Sequence, residues 1–276
     1  MASVETFWEA GHKITGHDVD GSLSLGYRRF RAFFGTSPLV CVVAWDIMSM
    51  TRPTTSRPKH LLWALLLLKR YSVEDVNAAL TGVSEKTFRK WSHIFINLLA
   101  DMPVLCWEDR FRSAPRDAST FISLDGTDFK IMEPSDFDPK WWSHKFNGPG
   151  LRYEVGICIR TGDIVWAHGG LPCGEWPDLR LARNAIIAAL RPGEKIIADR
   201  GYNDQNFFDV PNGNADLQKK QILARHETVN KRIKQFCCLN FRFRHSLHLH
   251  PRFFHAVVNL TQLMNQNGEP LYSVNF

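Results

Sequence analysis

The spacing of apolar residues changes near residue 118, and that change of period limits the folds open to this chain more than any other feature. Beyond it come short runs of β character: TFISLDGTDFKI at 120–131, LRYEVGICIR at 151–160 and, after the turn Thr161, Gly162, Asp163, a third at 164–168. An amphipathic helix is expected over 177–190, then a short buried strand at 195–198 (KIIA). A long helix over about 216–239 follows, with Ile222, Val229, Ile233 and Phe236 on one stripe. Strand, strand, strand, helix, strand, helix is the order of an α/β domain with a mixed sheet and flanking helices, here assigned residues 118–276.

Residues 25–117 read as a helical region, behind a loose tail at 1–24 that shows no period. TRPTTSRP at 51–58 is a linker by its prolines and hydroxyls, and helices are expected at 60–70, 73–80 and 85–100. Ser72 with Asp75 fits a capping box for the second, Ser84 caps the third, and TGVS makes a tight turn between them. The outline resembles a helix-turn-helix. Its last helix opens EKTFRKW, so Lys86, Arg89 and Lys90 stand where a recognition helix presents side chains to DNA. Packing within a helical bundle explains the same outline, and both readings stand.

The longest apolar run, LLWALLLL at 61–68, falls far short of the about 20 residues that a bilayer crossing takes, so a buried helix and no membrane partner are expected. The six cysteines lack CxxC spacing, which suits buried thiols in a reducing compartment, and no secretory signal is expected from the first two dozen residues. Net charge is only +6, but it is divided. Residues 52–91 hold eight Lys and Arg against three acids, 219–252 hold nine against one, and 120–178 between them hold five against nine. Basic flanks around an acidic stretch suit a protein that grips a polyanion and binds a cation.

Two aspartates stand at strand ends: Asp125 ahead of Gly126, and Asp199 ahead of Arg200, Gly201 and Tyr202. A carboxylate beside a buried strand is costly unless its charge is compensated. Converging carboxylate oxygens are what hard divalent cations select, and such a centre activates water or a 3′ hydroxyl against a phosphodiester. Glu227 is the candidate third ligand, off the apolar stripe of its helix with Lys231 and Lys234 on the same arc. A surface ion-pair ladder accounts for that arrangement as well as a metal ligand does.

The ordered strings FISLDGTDFKI, SHKFNGPGLRYEVGICIRTGDIVW, PCGEWPDL, IIADRGY and RHETVNKRIKQF resemble the DDE superfamily of transposase endonucleases, and more narrowly its Harbinger (PIF) and IS5-like branch. The likeness covers about 118–240 and, more loosely, the KTFRKW segment. It implies a ribonuclease H-like fold and a Mg²⁺ or Mn²⁺ centre on Asp125, Asp199 and Glu227. It further implies cleavage of phosphodiesters at transposon ends and joining of 3′ hydroxyls to target DNA, in the nucleus. Lys145, Lys231, Arg232 and Lys234 are then expected to meet phosphates, with a Myb-like helper protein and a homo-oligomer as further partners. A domesticated, DNA-binding or regulatory descendant without nuclease activity is the alternative. Only 27 residues separate Asp199 from Glu227, short for that branch, so Asp209 and Asp216 compete as third ligand.

Four further residues carry paired readings. Asp128 is either near the metal or an exposed strand-end acid, and Lys145 approaches the scissile phosphate or is a solvated loop residue. Asp178 resembles a family position and also suits the start of a helix, where an acid favours the dipole. His226 assists catalysis or is structural. The histidines of 245–255 lack well-spaced cysteines and are not expected to bind zinc, and Trp141 and Trp142 are read as loop packing rather than base-stacking residues.

Overall fold

The computed structural model describes residues 2–16, 22–134, 136–212 and 216–276, in two compact units. One comprises Met1–Val104, Ile233–Phe241 and Arg252–Gly268; the other comprises Leu105–Arg232, Arg242–Pro251 and Glu269–Phe276.

The first unit is helical: α1 (Val4–Thr15), α2 (Leu23–Phe34), α3 (Pro38–Ile47), α4 (Pro58–Arg70), α5 (Glu74–Thr81) and α6 (Glu85–Ala100). α4 is its core. Pro58 opens the helix, the residues from His60 through Leu68 are all buried, and the chain leaves through Tyr71 at φ 49. The expected helix–turn–helix outline is present in α5 and α6. Gly82 closes α5 in the left-handed region, and the Ser84 hydroxyl accepts from the Thr87 amide. The Ser72 capping box does not form. Val73 is the residue ahead of α5, and the Ser72 carbonyl instead accepts from the Asn77 side chain.

The loose tail is corrected by α1. Ser3 and Thr6 form a reciprocal capping box, and Gly16 ends the helix at φ 66. Residues 17–21 of that expected tail lie outside the described residues. Gly11, which counts against a helix locally, is required by packing: a Cβ there would come within 2.5 Å of the Phe30 ring.

The second unit is built on a six-stranded mixed sheet: β1 (Thr120–Lys130), β2 (Trp142–Ser143), β3 (Gly148–Cys158), β4 (Ile164–Pro172), β5 (Lys195–Ile197) and β6 (Phe208–Asp209). The order is β2-β3-β1-β5-β6, with β4 also paired to β3. β3 runs antiparallel to both β1 and β4, while β5 and β6 run parallel to β1. This is the ribonuclease H-like arrangement. α7 (Asp178–Asn184) lies in the crossover from β4 to β5, and α8 (Leu217–Lys234) follows β6.

The two faces of the sheet follow strand alternation. Ile122, Leu124, Ile196 and Ala198 share a core cluster with Ala182 of α7 and Tyr202, whereas Ile197 joins Ile159 and Ile222 of α8. Two helices are shorter than the sequence suggests. α7 breaks at Ala185 into a 3₁₀ turn at Ile186–Ala189, and α8 stops at Lys234, ahead of a separate short helix α9 (Cys237–Asn240). A last helix, α10 (His250–Gln266), closes the chain.

Candidate active site

Register brings the two aspartates together. In the parallel β1–β5 pair Ser123 stands opposite Ile197, so two residues further on Asp125 and Asp199 emerge side by side. Alternation turns both toward the α8 face, the face on which Ser123 meets His226 and Asp125 meets Asn230. α8 contributes Lys220, Leu223, Ala224 and Glu227, spaced i, i+3, i+4 and i+7 along one side. Together with Leu124, Asp125, Asp199 and His226 they line a pocket of ≈ 280 Å³.

Each carboxylate has its own environment. Asn230 Nδ2 donates to Asp125 Oδ2 at 3.0 Å. Burial pushes the Asp125 carboxyl up to about 6; Lys145 opposes that shift, and the neighbouring Asp199 and Asp178 charges add to it. Asp199 is exposed and accepts from the Gly201 amide at 2.9 Å, which fixes the turn after β5. Glu227 is exposed and makes no ion pair with Lys231, so the expected surface ladder is not formed between these two.

Asp209 and Asp216 are engaged elsewhere. Lys219 Nζ lies 2.7 Å from Asp209 and 3.6 Å from Asp216, and neither acid lines the pocket of Asp125 and Asp199. Among the described residues, no three ligand atoms of His, Cys, Asp or Glu within this unit lie within 4.8 Å of one another. The three carboxylates therefore share a pocket without being drawn onto a single point. Their donor set is all oxygen, which suits a hard divalent cation, and the burial and like-charge load on Asp125 is what such a cation relieves.

The remaining site expectations divide. Lys145 Nζ donates to the Gly126 carbonyl at 2.6 Å, beside Asp125 rather than out in a loop. Asp128 is not an exposed acid, and it does not line the pocket of Asp125, Asp199 and Glu227. It is buried, opposite Arg152 in the β1–β3 register, and accepts from Arg152 at 2.8 and 2.9 Å and from the Ser143 hydroxyl at 2.5 Å. His226 is buried 2.9 Å from the Ser123 hydroxyl, and burial pushes its imidazole down to about 3, so it is neutral. Lys231 is exposed, whereas Arg232 is half-buried and donates to the Glu269 carbonyl. In the helical unit Arg89 pairs with Glu74 and Glu85, while Lys86 and Lys90 remain exposed on the same helix.

Sequence reasoning missed three neighbours of the site. Asn230 lies one turn beyond Glu227, a spacing that predicts a shared face. Glu154 is a fully buried acid of β3, accepting from Trp166 Nε1 at 2.9 Å, and burial raises its carboxyl to about 8. Tyr202, of the RGY string, is buried with no partner for its hydroxyl.

A family model described as DDE superfamily endonuclease matches residues 124–262, half of the chain and a span that holds Asp125, Asp199 and Glu227. The chain belongs to that family. As a DDE superfamily endonuclease it carries its strand-end aspartates at the two positions brought side by side by the β1–β5 register. Comparison with curated proteins gives no match. Among solved structures, a crystal structure of a pre-cleavage Mos1 transpososome is similar at 11% identity over 94% of this chain and 97% of that one, with a TM-score of 0.21.

Proposed function

We propose that this chain is a metal-dependent DNA endonuclease and transposase of the Harbinger (PIF) and IS5-like branch. It cleaves phosphodiesters at transposon ends and joins the freed 3′ hydroxyls to target DNA in the nucleus. The observation that carries this reading is the pocket that Asp125, Asp199 and Glu227 share at the ends of β1 and β5. Those three residues would hold Mg²⁺ or Mn²⁺, which when bound supplies Lewis-acid activation of the attacking hydroxyl and stabilisation of the leaving oxygen.

The chain's own residues do the rest. Asn230 orients the Asp125 carboxylate, and Lys145 brings a cation to the same strand end, where an approaching phosphate is negative. Exposed Lys231, one turn beyond Glu227, extends the positive surface along α8, with Lys234 a further turn on. Lys86 and Lys90 on α6 support a second DNA contact; Arg89, tied to two glutamates, contributes less. A Myb-like helper and a homo-oligomer belong to the same reading.

The test is cleavage of terminal-repeat DNA with Mg²⁺ or Mn²⁺, alongside Asp125→Ala and Asp199→Ala. Each substitution is expected to lower cleavage on the order of 10³-fold or more while DNA binding persists. Cleavage that survives both substitutions overturns the mechanism. DNA binding with no cleavage by the unaltered chain identifies the domesticated alternative instead.

A further inference from the structure

Each candidate metal aspartate is followed closely by a glycine: Gly126 directly after Asp125, and Gly201 two residues after Asp199. The space beside both glycines is filled by one carboxylate. A Cβ on Gly126 would stand 2.1 Å from Asp178 Oδ1. One on Gly201 would stand 3.4 Å from Asp178 Oδ2 and 3.0 Å from Asp199 Oδ1. Neither glycine has a positive φ, so close approach, and not backbone freedom, is what calls for glycine at these points.

Asp178 is the first residue of α7 and belongs to the opposite face of the sheet from α8. With no side chain at 126, its carboxylate reaches past β1 toward the aspartates. Arg152 Nε lies 3.4 Å from Oδ1 but is also held by Asp128, and Oδ1 has no hydrogen-bond partner. The fully buried Tyr202 hydroxyl, also unpartnered, is 3.4 Å from the same Gly126 Cβ position. Glu154, the register partner of Gly126, adds a buried carboxyl oxygen without a partner.

We propose that Asp178 is a positioning residue of the metal centre: wedged between the strand ends that carry Asp125 and Asp199, it fixes their separation and adds a negative charge behind them that strengthens divalent-cation binding. The proposal rests on the reading of Asp125 and Asp199 as metal ligands. Charge separates this role from simple packing, because asparagine fills the same space without it. Helix capping makes no such demand, since Asp178 stands inside α7 and Pro177 is the residue ahead of it.

Mn²⁺ binding to the full chain, followed by electron paramagnetic resonance and calorimetry without DNA, tests this apart from catalysis. Asp178→Asn is expected to weaken Mn²⁺ binding ~10- to 100-fold with little change in the urea midpoint. Gly126→Ala is expected to destabilise the unaltered chain but to be tolerated in an Asp178→Ala background, where its clash is gone, without recovery of Mn²⁺ affinity. Asp125→Ala separates the two levels of the argument. If it leaves Mn²⁺ binding intact, the metal-centre reading itself fails. If it weakens binding while Asp178→Asn, or the Gly126→Ala/Asp178→Ala double variant, binds like the unaltered chain, the role of Asp178 alone is overturned.

Discussion

The helical unit and the sheet unit bury different things. Around α4 the helical unit buries leucines and aromatics, and its buried polar residues among those described are uncharged, such as Asn77, Ser92, Asn259, Thr261, and His60, whose imidazole burial pushes down to about 4. The sheet unit holds all six buried Asp, Glu and Arg residues among those described: Arg110, Asp128, Arg152, Glu154, Glu194 and Arg225. Most are compensated. Arg110 meets Glu194 at 2.9 Å, Arg152 meets Asp128 at 2.8 Å, and Arg225 donates to the Cys158 and Ile159 carbonyls. Burying charge gains little net stability. Its concentration in the unit that carries Asp125 and Asp199 points to fixed electrostatics around the site, whereas the helical unit relies on apolar packing.

That contrast can be broken at its strongest point first. Glu194→Ala leaves Arg110 without its buried carboxylate, with only the exposed Glu108 at 3.3 Å, and is expected to cost about 3–5 kcal/mol in urea unfolding, while the double change Arg110→Met with Glu194→Leu costs far less. A single variant as stable as the unaltered chain breaks the comparison.

Glu154 comes next. Burial raises its carboxyl from the ordinary 4.5 to about 8, so the folded state keeps a proton that the unfolded chain releases at lower pH. Stability is therefore fully present below the unfolded value and is lost as pH rises from there through about 8, by on the order of 5 kcal/mol. Glu154→Gln should flatten that part of the pH profile; an unchanged slope assigns it to another group.

A cavity in the helical core sharpens the other side. Leu66→Ala, at a fully buried position, is expected to cost about 3 kcal/mol. That loss should stay constant across the pH range in which Glu154 titrates, a difference that parallel urea melts would read. The smallest effect belongs to the surface. Glu85→Ala removes an exposed i,i+4 partner of Arg89 and is expected to cost less than about 0.5 kcal/mol, vanishing in high salt.

Much of the fold is legible in the sequence because the signals are local. KIIA reads as a buried strand, the 61–68 run as a core helix, and Ser84 as a cap, and each forms as read. α1 was hidden because Gly11 weakens the helical pattern, and only the Phe30 ring against it explains the residue. The exposed reading of Asp128 fails because its partner Arg152 lies on another strand, opposite it only once register is set. At the candidate site the acid types and strand ends were visible. The engagement of Asp209 and Asp216 with Lys219, and the approach of Asp178 to Gly126, were not.

By itself, then, the sequence determined the change from helical to strand period, the strand ends at which aspartates stand, and the set of acids from which a cation site is drawn. Those follow from side-chain periodicity and from the cost of charge beside apolar runs. Which acids share a pocket was decided by tertiary structure. The Ser123–Ile197 pairing joins residues far apart in the chain, and two positions beyond it Asp125 and Asp199 meet on the face that α8 covers. Parallel register is a long-range hydrogen-bond choice, and no local pattern specifies it.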